Sequence, residues 1–153
     1  MNNLSFEEFL NHKMDKIDMP RELKAFFKSP RQAVIFGCGN QGYVSMDLCH
    51  MFHKKVFSFL VSDGGQRLCP FWPEVPFFTL SQFPVEMKKD VDIIISVSEK
   101  YNNEIRDVLL KGGFENVFCV ENWTDINEKL CIAWHSAYFS YQTAIDPKKI
   151  LRN

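Results

Sequence analysis

Gln32-Ala-Val-Ile-Phe-Gly-Cys-Gly-Asn-Gln-Gly-Tyr43 sets the frame for the whole chain. The apolar run Ala33 to Phe36 reads as a strand. It enters Gly37-x-Gly39-x-x-Gly42 directly, and a helix is predicted over Tyr43 to His53. Strand, glycine turn and helix in that order are the sequence form of a nucleotide- or dinucleotide-binding βα unit. The first glycine permits the tight turn, the second lets backbone approach a phosphate, and the third lets helix pack close to strand. Unpaired N–H groups and the positive dipole end of the helix then face an anion. Glycine turns also join strands to helices with nothing bound, so the flanking elements decide how much the motif means.

Those elements alternate. Val56 to Val61 reads as a second buried strand, ending in Ser62-Asp63-Gly64-Gly65. Asp63 comes about 20 residues after Gly42, where an acid binds ribose in nicotinamide-type sites. It also suits an Asx turn before the paired glycines. Pro70, Pro73 and Pro76 exclude a helix or central strand between Gln66 and Val75. Phe71 and Trp72 in that loop either offer a flat face to a base or sugar or fold down over the sheet edge. A short strand is predicted near Val75–Phe78, and Leu80 to Phe83 as a small helix or turn.

The β-branched run Val91 to Val97 suits a central strand covered on both faces. A helix follows over Asn103 to Lys111 with Gly112-Gly113 at its C-cap, then a last strand, Phe114 to Val120. Asp90-Val-Asp92 resembles a metal-binding acidic pair but precedes a strand at the sheet end away from the ligand, so it reads as a turn. Right-handed crossovers give an α/β, Rossmann-like parallel sheet of about five strands in the order 3-2-1-4-5, with helices on both faces. Its switch point falls between Phe36 and Val97, placing a ligand over Gly37–Gly42 and Ser96–Tyr101.

Residues 31–121 form this core, flanked by a helical extension (1–30) and a C-terminal helix with its tail (122–153), all in one globular unit. Ser5-x-x-Glu8 reads as a capping box for a first helix and Pro20 to Lys28 as a second. The extension either caps a sheet edge or serves as a docking arm. Thr124 is predicted to cap a final helix to Tyr141. Its stripe of Ile126, Leu130, Ala133, Trp134, Ala137, Tyr138 and Tyr141 suits core packing or a homodimer contact.

A chain of 153 residues can bury about 70% of its unfolded surface and needs no staples. A net charge of −1 provides no field for nucleic acid or anionic membrane. No apolar run nears the ~20 residues of a membrane span. Five scattered cysteines without a C-x-x-C pair, and no signal-like start, fit a reduced, cytoplasmic setting.

Catalytic residues are not assigned. No Tyr-x-x-x-Lys of short-chain dehydrogenases and no P-loop occurs. Cys49 and His53 are one helical turn apart, yet no further ligand cluster accompanies them, and no metal is expected. Cys38 sits beside a helix N-terminus, where a thiol can be activated or simply packed.

The succession Ile35-Phe-Gly-Cys-Gly-Asn-Gln-Gly42, Ser62-Asp63, Val75-Pro-Phe-Phe-Thr-Leu-Ser81, Asp92-Ile-Ile-Ile-Ser-Val-Ser98 and Gly112-Gly-Phe-Glu-Asn-Val-Phe118 resembles a known group. It is similar to the small Rossmann-like domains of bacterial surface-polysaccharide enzymes. These precede left-handed β-helix sugar acyltransferases or accompany glycosyltransferases and methyltransferases. The resemblance covers about Gln32 to Val120. It implies a cytoplasmic binding module for a UDP-type nucleotide-sugar, without chemistry of its own, working with a transferase partner or fused domain. It places Gly37, Gly39, Asn40, Gln41 and Gly42 at the phosphates, Asp63 at ribose or base, and Ser96 and Ser98 along the sugar. The aromatic, proline-rich loop and the lack of hexapeptide repeats depart from the pattern. Two other functions stay open: a small NAD(P)-binding oxidoreductase completed by dimerisation, and an interaction module that binds no nucleotide.

Overall fold

The computed structural model of the chain describes residues 5, 6, 8, 9, 18–66, 72–123, 125, 126, 128, 135, 141 and 142. Strands β1 (Gln32–Phe36), β2 (Val56–Val61), β3 (Phe77–Thr79), β4 (Val91–Ile95) and β5 (Asn116–Cys119) form one sheet. All pairs are parallel and the order is β3-β2-β1-β4-β5, the α/β Rossmann-like arrangement expected. Among the described residues it is accompanied by the α-helices α1 (Arg21–Lys28), α2 (Asn40–Met51) and α3 (Asn102–Lys111), with further helical residues before α1 and after Asn122. α2 begins three residues before its predicted start, so Asn40, Gln41 and Gly42 form its first turn.

Strand alternation sorts the core into two layers. Ala33, Ile35, Phe59 and Ile94 face one cluster with Leu23, Phe26 and Phe27 of α1 and Met46, Leu48 and Cys49 of α2. Val34, Phe36, Leu60, Ile93 and Ile95 face the other, with Leu109 of α3, Phe83 and Phe114. Fully burying a side chain such as Phe26 or Phe59 contributes about 1.5–3 kcal/mol. A register shift between Ala33 and Val34 leaves Phe57 of β2 as the extra residue. That bulge turns its ring into the second cluster, against Phe78 and Phe83.

The reading of Asp90-Val-Asp92 as a turn is corrected: Asp90 lies in a turn, but Asp92 belongs to β4 and is wholly buried. Its carboxylate accepts from Lys54 Nζ at 2.8 Å and from Arg31 Nε at 2.8 Å. Lys54 Nζ also donates to the carbonyls of Phe26 (2.7 Å) and Ser29 (3.0 Å). Burial pulls the lysine pKa below its ordinary value, against the opposing pull of Asp92. The strand places this acid opposite a lysine at the N-terminal end of the sheet, where it fastens the end of α1 to β4.

α1 also covers the outer edge of β5. Glu22 accepts from the Cys119 N–H at 2.9 Å and pairs with Arg106 of α3. This satisfies part of an edge ladder and blunts it against strand addition. Ahead of α1, Ser5 Oγ accepts from the Glu8 N–H at 3.2 Å, the cap expected there. The Phe6 and Phe9 rings lie 5.3 and 5.4 Å from that of Tyr141, so the two ends of the chain meet.

Asn122 makes the bonds of an N-cap: its Oδ1 accepts from the Asp125 N–H at 3.0 Å, and its carbonyl from the Ile126 N–H at 3.1 Å. Asparagine is as strong a cap as threonine and stands two residues earlier. Thr124 and, from the predicted stripe, Leu130, Ala133, Trp134, Ala137 and Tyr138 lie outside the described residues, as do Phe71 and the tail.

Asp92→Ala leaves the buried Lys54 ammonium with two carbonyl acceptors but no counter-ion. Urea denaturation is expected to show a loss of about 3 kcal/mol or more; a loss below about 1 kcal/mol contradicts the fastening role.

Candidate functional site

β1 and β4 are neighbours, paired Phe36 to Ile95, and their chains leave the sheet side by side at its C-terminal end. The Ser96 N–H donates to the Phe36 carbonyl at 2.8 Å and the Gly37 N–H to the Leu60 carbonyl at 2.9 Å. Gly37 then turns at φ +113°, in the region L-residues avoid. A Cβ there would stand 2.5 Å from the Ser96 carbonyl oxygen and 2.9 Å from Val97 Cγ1. Gly42 is as constrained, because its Cβ would meet the Gly37 carbonyl oxygen at 2.4 Å. Gly39, the N-cap of α2, differs from both: nothing lies within 4 Å of a Cβ built on it.

No side chain caps α2, and its first turn carries no acid. The N–H groups of Asn40, Gln41 and Gly42 therefore open beside Gly39 with no carboxylate competing for them. Asn40 is exposed, Gln41 half-buried and Gly42 buried.

The other sequence-predicted residues divide. Ser98 is half-buried on the loop after β4, across from the turn. Ser96 departs from the expectation that it lines the ligand. Its side chain is buried, with Oγ 2.6 Å from Ser45 Oγ of α2 and 3.3 Å from the Ile94 carbonyl.

Asp63 is exposed beyond β2, and its Oδ1 accepts from the N–H (2.9 Å) and hydroxyl (2.8 Å) of Ser81. The Ser81 N–H, then its hydroxyl, hold this carboxyl below the usual carboxylate range. Neither predicted role describes that bond. It ties the end of β2 to the 3-10 turn after β3, a turn closed by a Thr79–Gln82 capping box. Thr-x-x-Gln was the sequence signal for this turn.

Two bonds strap the loop after β4 to the start of the last helix. The Trp123 N–H donates to Glu99 Oε1 at 2.8 Å, and its indole N–H to the Val97 carbonyl at 3.1 Å. Trp72 adopts φ +55° and packs its ring 5.7 Å from that of Tyr43, on the α2 face of the core. It covers apolar surface there. Lys100, with its ammonium 5.0 Å above the Tyr101 ring, is the one cation among Gly37–Gly42, Ser62–Gln66 and Ser96–Tyr101. An anion here would be held chiefly by main-chain N–H groups.

Among the described residues no group of three or more His, Cys, Asp or Glu side chains could hold a metal. Cys49 is buried and its thiol pushed up to about 12 by desolvation, which keeps it protonated and unreactive. No helix of the described residues is long and apolar enough to cross a membrane. A scan against protein-family models finds no match, and no curated protein matches the chain.

Gly37→Ala and Gly42→Ala are expected to cost about 2 kcal/mol or more by strain and clash. Gly39→Ala should change stability by about 1 kcal/mol at most; equal losses at all three positions in thermal denaturation contradict the geometry. The Trp123 N–H holds the Glu99 carboxyl below its usual range. Its contribution is therefore complete above the ordinary value of about 4.3 and disappears as pH falls through the lower folded value. Wild type should lose more stability than Glu99→Gln between about pH 5 and 3. Parallel stability–pH curves remove Glu99 from that bond.

Proposed function

We propose that the chain is a binding module for a nucleotide or nucleotide-sugar, with UDP-sugars the first class to test. It serves surface-glycan synthesis in the cytoplasm beside a transferase, as a partner or fused domain, and performs no chemistry alone. The observation that carries this is Gly39. Glycine there answers no steric need of the fold, unlike Gly37 and Gly42. It does keep the space before the α2 amides clear for a diphosphate to approach main chain.

The resemblance in the sequence phrases from Gln32 to Val120 supports the glycan setting. A dinucleotide is the second ligand to test. The Asp63 carboxylate already accepts two hydrogen bonds from Ser81 on Oδ1, which bears on a ribose of either ligand alike.

Calorimetry against UDP, UDP-sugars, CDP, NAD and NADP separates the classes. Binding confined to UDP and UDP-sugars is expected, and Gly39→Val should abolish it while the variant stays folded by circular dichroism. Binding of NAD or NADP alone would transfer the site to an oxidoreductase-type ligand. A silent panel would leave an interaction module.

A further inference from the structure

The hydroxyl pair Ser45–Ser96 lies under the glycine turn, and neither residue was singled out for such a role by its sequence context. Ser45 is on the second turn of α2 and Ser96 follows the last residue of β4. Each is 1% exposed, and their oxygens are 2.6 Å apart. They form a buried polar contact in an otherwise apolar layer that includes Ile35, Met46 and Ile94. Two bare hydroxyls in such surroundings would each be costly, so the pair holds itself together.

The pair closes a loop of contacts. Ser96 N–H is bonded to the Phe36 carbonyl, the Ser96 carbonyl abuts Gly37, and the Gly37 carbonyl abuts Gly42 of α2. Ser45–Ser96 joins α2 back to the tip of β4, one turn beyond those close approaches. Removing it leaves α2 without its side-chain bond to the tip of β4, so the first turn is held by the close approaches at Gly37 and Gly42 and by apolar packing.

We infer that Ser45 and Ser96 are positioning residues for the amides of Asn40, Gln41 and Gly42, fixing where those donors stand for a diphosphate. They touch no ligand themselves. The inference rests on the nucleotide-binding function proposed above and adds to it a determinant of affinity beneath the site. Donor groups bind best when held within about 0.5 Å of their working geometry, so a loosened turn weakens binding without removing any contact atom.

The test is calorimetric titration of UDP into wild type, Ser45→Ala, Ser96→Ala and the double variant, well below each melting temperature. Each single substitution is expected to raise Kd about five- to tenfold, and the double to raise it no further than either one, because the two hydroxyls act as a unit. Variants that lose thermal stability but bind UDP with unchanged Kd overturn the positioning role and leave the binding function standing. Additive losses in Kd show that the hydroxyls act separately and also overturn it. Wild type that fails to bind UDP overturns both this inference and the UDP-binding function. If a variant does not fold, Ser45→Cys, which fills the same space but has a thiol that bonds only weakly, takes its place under the same criteria.

Discussion

Main chain meets main chain where β1 and β4 end, and no side chain fits between. The Ser96 carbonyl abuts Gly37 and the Gly37 carbonyl abuts Gly42, each close enough that a single methyl group would collide. That constraint seats the first turn of α2 directly over the strand tips. It puts the helix N-terminus at the one place in a 3-2-1-4-5 sheet where neighbouring chains depart to opposite faces. A crevice there follows from topology, and its floor follows from glycine.

A buried ionic cluster fixes the other end of the strands. Asp92, Lys54 and Arg31 join the N-terminal end of β4 to the α2–β2 connection and the end of α1, while the two apolar layers fill both faces. A buried ion pair stabilises little in net terms, but losing one partner is costly, so such a cluster fixes how elements meet. The C-terminal edge of the sheet is organised differently, by main-chain contacts and short polar links such as Asp63–Ser81, Glu99–Trp123 and Ser45–Ser96.

The sheet was legible because its strands are written as apolar runs with little ambiguity. Val91 to Ile95 is buried at every position, as a β-branched run broken only by Asp92 implies. Helix starts were less legible. Asn40 and Gln41 look like turn residues, yet both are helical, since Gly42 packs on Gly37 and draws the helix into the turn. Asp92 was misjudged because an acid at a strand start reads as solvated. Its partner Lys54 is 38 residues away in sequence, and no local pattern reveals that pairing. Ser96 was placed correctly at the strand tip, but the direction of its hydroxyl depends on Ser45, which lies on another element.

What the chain is proposed to do depends on the amides beside Gly39 receiving a diphosphate. The most direct measurement is a ¹⁵N-¹H NMR titration with UDP, followed residue by residue. The account predicts that the amide resonances of Gly39, Asn40, Gln41 and Gly42 move most, with those of Val97 to Tyr101 next, and that the Arg31–Lys54–Asp92 end stays still. Saturable shifts centred on any other surface, with the Gly39–Gly42 amides unmoved, would contradict it.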